Sequence, residues 1–419
     1  MNKRWLFFLL FGLLSAIEAS AHPTQPPLNS NEWNFVLVPS FEPAPAPSNN
    51  LSIVGLNHAL RFGQLLDTVT AGKLDQLRQV YALSFEHNSS VMQPLETIEP
   101  FAVLNNLGVK TLRLTPGFTP TYDTPVYFIN RILAGNPRGI YVMAMPRTMI
   151  RELVTALTGT HIEVGSRHQY FVISGRTHAF KVTTYTDHID NVKSFPRVAL
   201  PPRAACMEKS VRIPVKAPRG WLPYKSQTVY FVRHVEAHPN STFENGNYVC
   251  RGQWRALGAN SILLTLMHGH VPNYVFTSDP TDIIGCARPC SYVRASLTVA
   301  PFASQHHLTL TLAQFQWGDA IDLAQALFNQ RSPYFHHPSS GSIILVGWEH
   351  AHIRKAVTYL LSSMYGNAKA AKNLPKWGFH DYDTVWVLST DKRGNLTFQS
   401  TCEGIRTVTL PSTCPAFRQ

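Results

Sequence analysis

Arg233 and His234 stand directly after the apolar run Val229-Tyr230-Phe231-Val232, with Glu236 and Asn240 a few residues on. A guanidinium can hold phosphoryl oxygens in bidentate fashion, and an imidazole fixed through one ring nitrogen can attack phosphorus with the other. Farther along, Arg294 opens the helix-like segment Arg294-Ala295-Ser296-Leu297-Thr298. Glu349 and His350 close a second apolar run, Ile343-Ile344-Leu345-Val346-Gly347-Trp348. Two arginines, one nucleophilic histidine and a second histidine suit phosphoryl transfer, whose dispersed anionic transition state is stabilised mainly by positioning and charge. His352 competes with His350 for the second histidine's role, and Arg288 competes with Arg294.

These residues need a scaffold that gathers them. Short β-branched and aromatic runs alternate with amphipathic helical patterns throughout the chain, the signature of α/β domains with mostly parallel sheets. Ligands of open α/β sheets bind just beyond the carboxyl ends of the strands, where Arg233-His234 and Glu349-His350 fall. The pattern also occurs twice. Val36-Leu37-Val38-Pro39-Ser40 answers Tyr230-Phe231-Val232-Arg233-His234, and Gly55-x-x-x-Ala59-Leu60 answers Gly252-x-x-x-Ala256-Leu257. Val80 to Ser84 answers Tyr274 to Ser278, and Thr97 to Ala102 answers Thr298 to Ala303. Gly139 to Arg151 answers Ser342 to Arg354, and both halves finish in a hairpin-like pattern. The second copy carries about seven extra residues, placed around Cys286 to Cys290. The expected organisation is a signal peptide over 1–21, a leader over 22–33, a first domain over 34–193, a linker over 194–227 and a second domain over 228–419.

The second copy resembles the histidine phosphatase superfamily, the phosphoglycerate-mutase-like proteins. The resemblance rests on strand-Arg233-His234-x-Glu236 with Asn240 following, on Gly252 and Ala256, on Ser278-Asp279, on Arg294-x-x-x-Thr298, and on the strand ending at His350. Val235 stands where that family usually has glycine. The resemblance implies two three-layer α/β domains, the first degenerate, and a phosphohistidine intermediate on His234 that water hydrolyses. Arg233, Arg294 and Asn240 would bind substrate, and His350 would assist. The family's usual acidic proton donor is answered by Gln314, which cannot supply a proton near neutral pH. Asp319 is the first substitute and Glu349 the second. In the first copy Pro39, Ser40, Gln93 and Arg147 hold the places of Arg233, His234, Arg294 and His350, so it is expected to lack activity. A non-catalytic binder of phosphorylated ligands, or a surface-interaction protein, is the alternative.

The remaining composition fits an exported protein. Lys3 and Arg4, the apolar Trp5 to Ile17 and Ala19-Ser20-Ala21 read as a cleavable secretory signal, which implies a periplasmic or secreted protein without stable membrane insertion. Six cysteines in an oxidising compartment favour disulfides, with Cys286/Cys290 and Cys402/Cys414 as the local pairs. No Cys-x-x-Cys pair supports a metal centre, and neither metal nor cofactor is expected. The net charge of +12 favours anionic, phosphorylated small-molecule or protein substrates. The basic residues are scattered, so no nucleic-acid partner is expected, and the two copies are expected to pack on each other.

Overall fold

The structure, a computed structural model, describes residues 26–86, 91–116, 124–177, 179–207, 210–219, 226–238, 245–286, 290–329, 331–335 and 341–417. The expected signal peptide, Asn240 and Arg288 lie outside them.

The first half is built on strands β1 (Trp33–Pro39), β2 (Leu77–Phe85), β3 (Val109–Leu114), β4 (Gly139–Met145), β5 (Gln169–Arg176) and β6 (Ala179–Thr186). They form one sheet in the order β3-β2-β4-β1-β5-β6, with β1 to β4 parallel and the β5–β6 hairpin antiparallel at one edge. Helices α1 (Ile53–Thr70), α2 (Met92–Leu104), α3 (Pro125–Gly135) and α4 (Arg147–Thr158) cover it.

The second half contains β7 (Arg212–Val215), β8 (Gln227–Arg233), α5 (Cys250–Gly258), α6 (Asn260–Leu266), β9 (Tyr274–Thr277), β10 (Ile283–Ile284), β11 (Cys290–Ser291), α7 (Arg294–Gln305) and β12 (Leu310–Leu312). It continues with α8 (Ala320–Phe328), β13 (Ser342–Trp348), α9 (His350–Tyr359), α10 (Ala368–Lys372), β14 (Thr384–Thr390) and β15 (Leu396–Cys402). Its main sheet runs β12-β9-β13-β8-β14-β15-β7, with β12, β9, β13 and β8 parallel and the rest antiparallel to their neighbours. Apart from β7, the two sheets share one order of connection.

The central strands explain the layering. β1 is buried along its whole length, as a parallel strand covered on both faces must be. Its alternate residues enter different cores: Phe35 and Leu37 join Ile150 and Leu153 of α4, whereas Val36 and Val38 join Phe62 of α1 and Phe101 of α2. That second cluster runs on without a break into Val232, Ala256 of α5 and Leu297 of α7. The outer face of the second sheet packs on α8 and α9 through Leu323, Ile353 and Val357. The two halves therefore meet helix against helix over a common apolar core.

Two expectations need correction. The stretch 194–227 is not merely a linker, because β7 within it pairs with β15; Pro214 is tolerated there because β7 is an edge strand. Cys402 pairs with Cys206, and Cys414 with Cys250, so the proposed Cys402/Cys414 bridge is absent; only Cys286–Cys290 is local. Nearness in sequence failed because Cys402 ends a strand, beside the connector, while Cys414 lies in the tail that folds back on α5. The extra segment around Cys286 forms the β10–β11 hairpin, and Ser291 Oγ there accepts from the Thr111 amide of β3 at 3.0 Å. Beside it Arg113 of β3 pairs with Asp279 at 2.7 Å, so this excursion faces the first half. Among the described residues no helix is long and apolar enough to cross a membrane.

Candidate active site

Parallel pairing sets the rim of the second sheet. Trp348 of β13 is in register with Arg233 of β8, so Arg233-His234 and Glu349-His350 leave adjacent strands at the same level. The His234 amide continues the ladder by donating to the Trp348 carbonyl at 2.9 Å. Arg294 enters from the first residue of α7, its guanidinium 4.8 Å from the centre of the Tyr292 ring. The Tyr292 ring in turn lies edge-on to His234, 6.3 Å between centres.

The ring of His234 has an assigned tautomer. Its Nδ1 lies 2.8 Å from the Val235 carbonyl, which can only accept, so Nδ1 carries the proton and Nε2 presents a lone pair. Complete burial, then the charges of Arg294 and Arg233, hold the imidazole well below its ordinary pKa. The ring is thus neutral, under the charges of two guanidiniums.

Arg233 is buried and held from one side. Its guanidinium lies 4.1 Å from the centre of the Tyr382 ring, and Nη1 donates to the carbonyls of Phe379 at 2.5 Å and Asp381 at 3.1 Å. Its Nε, also buried, has no acceptor among the described residues. A buried donor of this kind is costly unless an anion meets it.

The loop that carries His234 is clamped from beneath. The Val235 amide donates to Thr298 Oγ1 at 2.9 Å, and that hydroxyl donates to the Arg294 carbonyl at 2.7 Å. Gly252 lets α5 come close: a Cβ there would sit 2.6 Å from the Glu236 carbonyl and 2.8 Å from the Val235 side chain. Glu236 takes no part in the pocket. Arg255 holds it through Nε and Nη2, at 3.0 and 2.7 Å, and reaches Glu403 at 2.7 Å with Nη1.

The residues considered as proton donors fare differently. Glu349 lies 2.5 Å from His350 Nδ1 and 2.7 Å from His352 Nδ1. Burial works against its charge, yet the bonds from His350 and His352 win and hold its carboxyl far below the usual carboxylate range. Glu349 is thus an ionised acceptor that faces both imidazoles. The structure does not bring Asp319 to the pocket: it is exposed beside the groove between α8 and α9, where Oδ2 accepts from the Gln316 amide at 3.1 Å. Gln314 is exposed as well. Tyr292, Phe379 and Tyr382, which line the pocket, were missed in the sequence. Phe379 and Tyr382 arrive from a loop with no motif, and only their place before the β14 strand pattern could have pointed to them.

The first half repeats the supports without the chemistry. The Ser40 amide donates to the Met145 carbonyl at 2.9 Å, the Phe41 amide donates to Thr97 Oγ1 at 3.1 Å, and Thr97 Oγ1 donates to the Gln93 carbonyl at 2.8 Å. Gly55 approaches the Glu42 carbonyl as Gly252 approaches that of Glu236. Arg167 donates through Nη1 to the carbonyls of Ser40 and Phe41.

No protein-family model and no curated protein matches the sequence. Among solved structures the chain is similar to a phosphoglycerate mutase from Plasmodium falciparum, at 14% identity and TM-score 0.28, over 46% of this chain and 99% of that one. It is similar to a putative phosphohistidine phosphatase from Nakamurella multipartitia at 18% identity and TM-score 0.28, over 41% and 88%. A mycobacterial glucosyl-3-phosphoglycerate phosphatase is similar at 13% identity and TM-score 0.27, over 43% and 100%.

Proposed function

We propose that the chain is an exported phosphatase of the histidine phosphatase type, with one active site in its second half and a degenerate copy of the same domain in its first. The observation that carries this reading is the state of His234: buried, with Nδ1 held by the Val235 carbonyl and the ring kept neutral by burial and by the charges of Arg294 and Arg233. Arg233 and Arg294 hold the phosphoryl oxygens, and His350 adds a donor from the neighbouring strand. His234 Nε2 attacks phosphorus in line, the bond from phosphorus to the leaving oxygen breaks, and a phosphohistidine forms. Water then attacks phosphorus, releasing inorganic phosphate and restoring the neutral ring. With Glu349 ionised and Asp319 exposed beside the α8–α9 groove, the proton for the leaving oxygen comes from the His350–Glu349–His352 cluster. That source favours leaving groups needing little help, such as aryl phosphates and phosphoanhydrides.

The test is a burst experiment with an aryl phosphate on the native protein and on His234→Ala. Native protein should release phenol, accumulate an acid-labile phosphoenzyme and turn over; the variant should do neither while keeping its circular dichroism. Turnover by His234→Ala at the native rate would end this proposal.

A further inference from the structure

The buried charge cluster around Arg255 has a counterpart in the first half, made of different groups. Glu42 follows β1 at the place where Glu236 follows β8, and His58 lies three residues after Gly55 as Arg255 does after Gly252. Asp187 directly follows β6 as Glu403 follows β15, and His168 directly precedes β5 as Asp383 precedes β14. One guanidinium among three carboxylates is thus answered by two imidazoles and two carboxylates.

The geometry of the four groups is that of a ligand set. His58 Nε2 lies 2.8 Å from Asp187 Oδ2, and His168 Nδ1 lies 3.0 Å from Asp187 Oδ1. The two rings are 4.7 Å apart between centres, and the ligand atoms of His58, His168 and Asp187 all lie within 4.8 Å of one another. On its other side His58 Nδ1 faces Glu42 Oε2 at 3.2 Å. A carboxylate on the far nitrogen fixes the tautomer of a metal-binding histidine and raises its basicity.

We propose that His58, His168 and Asp187 bind a divalent first-row metal ion of the zinc kind, with Glu42 orienting His58. Zinc, a borderline ion, takes imidazole nitrogen and carboxylate oxygen at bonds of about 2.0–2.2 Å, the donor set these three residues offer. Charge favours it too. Asp187 and Glu42 carry two negative charges into a largely buried cluster, where the Arg167 guanidinium acts on Glu42 alone and a divalent ion would face Asp187 directly. His168 is 27% exposed on its side chain, which gives an entry path and room for water as a fourth ligand. The ion would join the end of β1, α1, the approach to β5 and the end of β6, as Arg255 joins the same elements in the second half. A search confined to cysteines overlooks it.

The test is titration of the full-length protein, stripped with a chelator and dialysed, with ZnCl2 by calorimetry and with CoCl2 by visible absorption. One equivalent should bind per chain, with a rise in Tm and cobalt bands of a low-coordinate nitrogen–oxygen site. His168→Ala, at a partly exposed ring, and Glu42→Gln should each weaken binding at least tenfold with circular dichroism unchanged. His352→Ala, in the carboxylate–imidazole cluster of the second half, should bind as the native protein does. Absence of binding would overturn the site and leave a proton-carrying cluster. Binding unaffected by His168→Ala and Glu42→Gln, or lost in His352→Ala, would overturn it equally.

Discussion

The Thr298 hydroxyl and the Val235 amide are hydrogen-bonded at 2.9 Å, and through the Arg294 carbonyl the same hydroxyl fixes the helix that presents the second guanidinium. One oxygen thereby ties the loop after His234 to the first turn of α7. Thr298→Val keeps the shape and removes both bonds, leaving a buried amide unsatisfied at a cost of about 1–3 kcal/mol. Urea unfolding should show that loss, and kcat should fall by more than KM rises. An unchanged kcat would separate this clamp from the chemistry.

Arg233→Lys retains the charge and loses the planar guanidinium whose Nη1 donates to both the Phe379 and Asp381 carbonyls and whose Nε has no acceptor among the described residues. The loss of an oriented donor of this kind costs on the order of 10²–10³ in kcat. Steady-state kinetics with an aryl phosphate should show it, with stability changed little. Full activity in the lysine variant would mean that only charge is needed there.

The depressed pKa of His234 predicts an unusual acid limb. A free imidazole would be half protonated near pH 6.5, but this ring stays neutral well below that. After correction for ionisation of the substrate phosphate, kcat/KM should hold steady as pH falls from about 7 to about 5. A decline with an apparent pKa near 6.5 would show that the nucleophile titrates normally.

Glu349 makes a separate prediction, about stability. Its carboxyl is held below its unfolded value, so its contribution is complete above about pH 4.5 and is lost as pH falls further, when the unfolded chain takes up a proton that the native one refuses. Native protein should therefore lose stability faster than Glu349→Gln between about pH 4.5 and pH 2 in thermal melts. Parallel curves would contradict the ionised cradle between His350 and His352.

The sign reverses at the contact between the halves. Burial pushes Glu99 of α2 up to about 8, although the Tyr248 hydroxyl that donates to it pulls the other way. It remains protonated while the unfolded chain ionises, so its contribution declines as pH rises from about 4.5 towards 8. Glu99→Gln should raise Tm at pH 7 and 8 and leave it nearly unchanged at pH 4. Equal shifts at all three would exclude a buried neutral carboxyl.

The legible parts of the sequence were those with a local signature. Apolar runs marked β1, β8 and β13, and a hairpin-like pattern marked the end of each half. Arg233, His234, Arg294 and His350 were readable because short motifs sit at strand ends and a helix start. What stayed hidden was made by distant segments. Tyr382 reaches Arg233 only because β14 lies beside β8, and Asp319 missed the pocket because the turn before α8 points it outward. The cysteine pairs followed neighbourhood in space, and β7 was invisible because four residues with a proline carry almost no strand pattern.

The disulfides have one more consequence. All six cysteines lie at or after Cys206, so no covalent bridge joins residues 34–193 to the rest. A protease cutting between Lys193 and Cys206 would yield two polypeptides that separate in detergent even without a reducing agent. In buffer they would travel as one particle, held by the continuous apolar core, the Arg113–Asp279 pair and the Asn49 side chain on the β12 edge. The pair of chains could then be taken apart and rebuilt, so that the first half is exchanged or withheld while phosphate release is followed.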